Sequence, residues 1–264
     1  MPRHQRILSE NGTYHVMLRG NERKNLFHDL EDKQRFIKTL FAKKEETGFL
    51  VFAYCLMDNH VHLLVRESTE GLATMMKRIN ASYAYYFNQK YHRVGHLFQD
   101  RFKSEPVDDN TYLLAVIRYI HNNPVKAGLV EKPEQYRWSS YKCYLFPHEP
   151  EAKMVDTEFI LSMMTNDQQT AIKEFKRFSM ENDEREFLDI EEGSVWTIEE
   201  GFSYLDEYLT KRWPGKSLPE LMNNKTIRTE LIVDLKTNTR LSVRAIANLL
   251  GINRGIVQKT NDSR

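Results

Sequence analysis

Residues 49 to 66 read FLVFAYCLMDNHVHLLVR. The first nine, Phe49 to Met57, form a nearly unbroken apolar run, which predicts a central strand buried on both faces. Asp58-Asn59 is turn chemistry, and His60 to Arg66 then predicts a second strand running back beside the first. Strand residues two apart point the same way, so His60 and His62 share one face while Val61, Leu63 and Val65 share the other. Two imidazoles about 7 Å apart along a strand can chelate one divalent cation if another group completes the shell. They can equally be strand residues hydrogen-bonded to neighbours or solvent.

Outward from this pair the pattern alternates between strand and helix. Tyr14 to Arg19 has period two, with Tyr14, Val16 and Leu18 on one face and His15, Met17 and Arg19 on the other. Leu30, Phe36, Ile37, Leu40 and Phe41 repeat at helical spacing, and Gly48 stops that helix. Residues 71 to 91 predict a long helix, Arg101 to Val107 a charged edge strand, and Asn110 to Asn123 a helix that ends before Pro124. The first six elements, β-α-β-β-α-β, make the split βαβ arrangement of a ferredoxin-like α+β fold. In it, helices cover one face of an antiparallel sheet and leave the other free.

Composition narrows the setting. Hydrophobic residues make up 41% and charged residues 28% of 264, the balance of a folded globular chain rather than a disordered one. Cys55 and Cys143 lack CxxC partners, which argues against a disulfide framework or a cysteine zinc site and suits a reducing, cytoplasmic setting. The first residues hold no signal-peptide core, and no apolar run approaches the roughly 20 residues of a membrane span.

The net charge of +1 conceals three blocks: Lys and Arg outnumber Asp and Glu by 22 to 16 over 1–146, fall to 8 against 18 over 147–222, and rise to 8 against 3 over 223–264. The blocks predict a basic main domain (1–146), an acidic, mainly helical linker region (147–222) and a basic tail (223–264). Phe175, Phe178, Trp196, Phe202, Leu205 and Tyr208 are the packing candidates of the middle block. In the tail, Ser242 can cap a helix whose apolar face is Ala245, Ile246, Leu249 and Leu250. Gly251 turns the chain and Asn253 can cap a second helix bearing Arg254, Gln258 and Lys259. With a preceding helix at about 226–237 this resembles a helix-turn-helix that reads duplex DNA.

The group that could complete the histidine pair lies in Arg118-Tyr-Ile-His-Asn-Asn-Pro124. Tyr119 and Asn123 are i, i+4 and so share a helix face one turn apart, with a phenol as nucleophile and an amide oxygen as metal ligand. Helix packing for Tyr119 and helix termination for Asn123 are the plainer readings. His121 points away from that face. Arg19, and Arg101 with Lys103 on the edge strand, are candidates to hold DNA phosphates. Tyr83, Tyr86 and Tyr91 on the long helix could stack bases or supply a rival nucleophile, though their spacing also suits core packing.

His60-Val61-His62 resembles the His-hydrophobic-His motif of the HUH endonucleases, and Tyr119 with Asn123 resembles the tyrosine and i+4 amide of the one-tyrosine transposases. YHVMLRGNERKNLF (14–27), YCLMDNHVHLLV (54–65), GHLFQDRFKS (95–104), RYIHNNPVKAGLV (118–130) and RWSSY (137–141) follow the order of the REP-associated tyrosine transposases. The resemblance implies an HUH transposase domain over 1–146. It implies single-strand cleavage in which Tyr119 forms a 5′-phosphotyrosine link and releases a 3′-hydroxyl, with Mg²⁺ or Mn²⁺ held by His60, His62 and Asn123. Palindromic hairpin DNA is the implied partner, for a monomer or homodimer. A non-catalytic DNA-binding regulator derived from a transposase is the alternative. A barrel-type metal hydrolase, suggested by Asp58-x-His-x-His, lacks the chain length beside the tail.

Overall fold

A computed structural model describes residues 6–260 except 22–23, 100, 182, 184, 186, 190–197, 240 and 242. Its contacts divide the chain into two compact units, 1–188 and 189–264.

The first unit holds four strands, β1 (Thr13–Arg19), β2 (Leu50–Leu56), β3 (His60–Arg66) and β4 (Lys103–Pro106). Their order is β2-β3-β1-β4 with every pairing antiparallel, the order that a split βαβ repeat produces. Helix α1 (Leu30–Thr47) joins β1 to β2, α2 (Leu72–Lys90) joins β3 to β4, and α3 (Asn110–Lys126) follows β4. Asp29 and Asp32 form a capping box that starts α1, and Gly48, at φ 75°, closes it in a left-handed conformation that favours glycine.

The register divides the sheet into two chemically distinct faces. Val61, Leu63 and Val65 lie opposite Leu18, Val16 and Tyr14, and α1 and α2 bury that face, with Phe36 and Tyr83 in edge-to-face contact. His60 lies opposite Arg19, His62 opposite Met17 and Leu64 opposite His15. This second face is not free. Helix α3 rests against it, and the ring of Tyr119 lies 5.6 Å from that of His62. It closes because α3 is itself largely apolar, with Leu113, Val116, Ile117 and Ile120 buried, and needs a surface to cover.

Three boundaries differ from those the pattern predicts. Helix α3 continues through Pro124 to Lys126, because the missing proline N–H removes one bond in a last turn that Ala127 N–H to Asn123 C=O still holds. Strand β4 is limited to Lys103–Pro106, so Arg101 lies outside it; upstream, Phe98 bridges Gly20 instead. The acidic block is divided between the two units: its part up to 188 folds with the body, and its part from 198 on belongs to the second unit. Ala152, Ile160, Leu161, Ala171 and Phe175 enter the main core through α5 (Thr157–Ser162), α6 (Gln168–Ser179) and the turn before them. Net charge reports the solvated face, whereas the apolar stripe of each helix decides where it packs. The RWSSY stretch protects the edge of β2: Leu56 N–H donates to Trp138 C=O and Ser140 N–H to Tyr54 C=O, just ahead of α4 (Tyr141–Leu145).

The second unit is helical: α7 (Ile198–Arg212), α8 (Leu218–Met222), α9 (Lys225–Asn238), α10 (Val243–Leu250) and α11 (Arg254–Lys259). Leu205, Leu231, Leu235, Ile246, Leu249 and Val257 form its core. Phe202 is exposed rather than packed, Tyr208 is partly buried, and Trp196 and Ser242 lie outside the described residues. Gly251 turns the chain at φ 63°, and the Asn253 side chain accepts the Gly255 N–H at the start of α11. Arg254, Gln258 and Lys259 are exposed on that helix. Among the described residues no helix is long and apolar enough to cross a membrane.

Candidate active site

The site sits where β3 and α3 face each other. Antiparallel pairing on both sides holds β3 in the middle of the sheet, and the period of two aims His60 and His62 at α3. Their ring centroids are 5.1 Å apart and both residues are buried. From α3, Asn123 brings Oδ1 to 3.5 Å from His60 Nε2 and Nδ2 to 3.4 Å from His62 Nε2. Tyr119, one turn earlier on the same helix face, packs edge-on against the rings of His62 and His15.

Hydrogen bonding assigns the protons. His60 Nδ1 lies 2.7 Å from Asn59 Oδ1, which can only accept, so a neutral His60 carries its proton on Nδ1 and its lone pair on Nε2. That lone pair faces Asn123 Oδ1, which is also an acceptor. Two imidazoles and an amide oxygen converging in one place are donor atoms that a divalent cation takes, so the donor set fits a metal. Among the described residues no three His, Cys, Asp or Glu side chains are grouped to hold one, and the third protein donor available here is the amide of Asn123.

His62 is kept neutral. Burial holds its pKa well below the usual imidazole range, with the neighbouring charges of His15, His60 and Lys126 acting in the same direction. If its Nε2 accepts from Asn123 Nδ2 or binds a cation, its Nδ1–H must donate to His15 Nε2, 3.0 Å away. Beyond His15, Glu105 Oε2 stands 3.9 Å from Nδ1. The order carboxylate, imidazole, imidazole, site is that of outer partners which fix the tautomer of a metal-binding histidine. His15→Gln is expected to lower Mn²⁺ affinity about 10- to 100-fold, read by calorimetric titration on folded protein. An unchanged affinity would reduce His15 to packing.

Phe187 covers the tyrosine, stacked on its ring at a centroid distance of 4.6 Å and an 18° tilt, and Tyr112 also stacks with Phe187, at 6.0 Å. Arg118, next to Tyr119, pairs with Glu181 and Asp183 and ties the approach to Phe187 down onto α3. His15 is visible in the sequence only as a face-mate of Arg19. Its contact with His62, like that of Phe187 with Tyr119, depends on register and on the return of a distant segment.

The structure places the other predicted residues unevenly. Arg19 lies opposite His60, and Lys103 opposite Met17, itself opposite His62, so both belong to the histidine face. Arg101 does not join Lys103 there. His121 is turned into the core, with Nε2 2.8 Å from Ser140 Oγ and the rings of Tyr141, Tyr144 and Phe175 around it. Burial lowers its pKa from 6.5 to about 3. On acidification the unfolded chain therefore takes up this proton first. The stabilising preference for a neutral ring is fully present above about pH 6.5 and is lost progressively towards about pH 3. Thermal midpoints are expected to fall over that window, and His121→Asn should flatten the fall; an unchanged slope would show that other groups set it.

The family described as IS200-like transposases matches residues 9–123, which contain both histidines, Tyr119 and Asn123. The matched segment is similar to that family and makes up less than half of the chain. Over 121 residues the chain is 28% identical to a protein named as a REP-associated tyrosine transposase of Haemophilus influenzae, a match covering 40% of this chain and 68% of that protein. Two solved structures are similar at lower identity. A REP-associated tyrosine transposase bound to a REP hairpin is 17% identical with a TM-score of 0.48, covering 57% of this chain and 90% of that one. A Deinococcus radiodurans protein named as a transposase is 19% identical with a TM-score of 0.33, covering 46% and 97%. The matched segment thus ends at Asn123, while the first folded unit runs on to 188.

Proposed function

We propose that this chain cleaves and rejoins single-stranded DNA through a 5′-phosphotyrosine intermediate, with a divalent cation, Mg²⁺ or Mn²⁺, held by His60, His62 and Asn123. One observation carries the reading: within the matched segment, His60, His62 and the amide of Asn123 converge beside a tyrosine on one buried face. The cation supplies Lewis acidity and a template for the scissile phosphate. Tyr119 Oη attacks the phosphorus, forming a phosphotyrosine ester while the bond to the 3′-oxygen breaks; the phenolic proton is given up and the 3′-oxygen leaves as a hydroxyl. Attack by another 3′-hydroxyl reverses the step and returns the proton to Tyr119, so no external energy source is consumed. Arg19 and Lys103 flank the histidines as phosphate contacts.

Palindromic sequences that fold into hairpins are the substrate class this reading favours, in line with the hairpin-bound relative. Arg254, Gln258 and Lys259 on α11 would contact duplex DNA as a helix-turn-helix. Incubation of the full chain with single-stranded hairpin DNA and Mn²⁺, followed by a denaturing gel, should reveal a covalent protein–DNA adduct that disappears with chelator. Binding of such DNA without any adduct across flanking palindromes would favour a non-catalytic regulator instead.

A further inference from the structure

Arg101 lies away from the histidine face, in a cavity of about 510 Å³ between α2 and residues 95–98 and 101–102. That volume falls within the roughly 300–1,000 Å³ range of pockets that enclose a small organic group. Its lining includes Arg6, Lys77, Asn80, Phe98, Arg101 and Phe102, and contains no Asp or Glu among the described residues. The Arg6 guanidinium lies 3.8 Å from the centroid of the Phe102 ring. Burial, and after it the nearby charge of Arg101, pull the Arg6 pKa down, so two cations are held close together, with no carboxylate among the described lining residues. Asn80 Oδ1 is buried and accepts no hydrogen bond. Clustered cations, a cation-on-aromatic wall and an unsatisfied amide oxygen each favour a different complement. A phosphate, a flat π-system and a hydrogen-bond donor on its edge supply all three, and a nucleotide carries them together.

We infer that this cavity receives one unpaired nucleotide of the single-stranded DNA, with its phosphate on Arg101 and Lys77, its base against Arg6 and Phe102, and a base-edge N–H on Asn80. The inference rests on the proposed DNA-processing role and adds a second point of strand contact to it. The cavity adjoins the end of the sheet that bears the candidate active site. Its wall is bonded to the chain that continues β1, through Asn21 N–H to Leu97 C=O and Gln99 N–H to Arg19 C=O, and Arg19 lies opposite His60. A bound nucleotide there would fix which phosphate of the strand reaches Tyr119.

The test measures fluorescence anisotropy of the full chain with a labelled oligothymidylate and with a base-free strand of equal length, both in chelator so that no cleavage intervenes. Phe102→Ala and Asn80→Ala should each weaken oligothymidylate binding about tenfold and leave the base-free strand nearly unchanged. Lys77→Ala, at an exposed position, should weaken both strands without disturbing folding, which circular dichroism checks for every variant. Unchanged binding in all three variants would overturn the proposal, as would equal loss on both strands in Phe102→Ala and Asn80→Ala. Failure of adduct formation with intact base-dependent binding would remove the transesterase reading and leave the cavity standing; adduct formation with base-independent binding would do the reverse.

Discussion

Tyr119→Phe should abolish the covalent adduct, lowering its rate of formation by at least about 10⁴-fold, while single-stranded DNA binding in chelator stays within about threefold of the parent. The ring is held between His62 and His15 on one side and Phe187 on the other. Phenylalanine keeps those contacts, so the substitution removes the attacking oxygen and little else. The rate is read from adduct bands on denaturing gels. A surviving adduct would move the nucleophile elsewhere, and α2 offers poor replacements. Tyr83 donates its hydroxyl to Leu26 C=O at 2.6 Å, and Tyr86 and Tyr91 donate theirs to Asp32, all on the α1 side of the sheet. Burial, with the Asp32 charge next, also raises the pKa of Tyr83, the wrong direction for a nucleophile.

His60→Ala is the second large effect. It removes the Nε2 acceptor that faces Asn123 Oδ1 and leaves one imidazole and one amide, too few protein donors to hold a cation firmly. Metal-dependent cleavage is expected to fall by about 10³-fold or more, since the cation carries the phosphate charge in the transition state. DNA binding in chelator should change little. Mn²⁺ titration separates the causes: lost affinity for the ion with retained DNA binding supports ligation, whereas equal loss of both would mark His60 as a structural residue. Asn123→Ala should follow the same pattern more weakly, because an amide oxygen is the least basic of the three donors.

Part of the architecture is legible by simple periodicity. Alternation over Tyr14 to Arg19 and His60 to Arg66, helical spacing in α1 and the turn at Asp58-Asn59 fix the element order, and the antiparallel order of the sheet follows from it. The facing of His60 and His62 is equally local, because a strand permits only two directions for a side chain. The departures come from places where a distant surface competes with a local rule. Pro124 reads as a stop, yet the buried face of α3 keeps its last turn helical. Arg101 reads as strand, yet β1 offers pairing only to Lys103–Pro106 and the arginine turns into a cavity. The acidic run reads as a separate linker region, yet Phe175 stacks on Tyr144 at 4.3 Å inside the main core.

The amino-acid sequence by itself determined which residues carry chemistry and which neighbours share a face, because those properties follow from backbone period and side-chain type over a few residues. Only the tertiary structure decided that Asn123 meets both histidines, that His15 and Glu105 stand behind His62, and that Phe187 lies on Tyr119. Those contacts join residues tens of positions apart. They arise when α3 is pressed onto the open face of the sheet to bury its apolar stripe, an outcome of packing that no local pattern encodes.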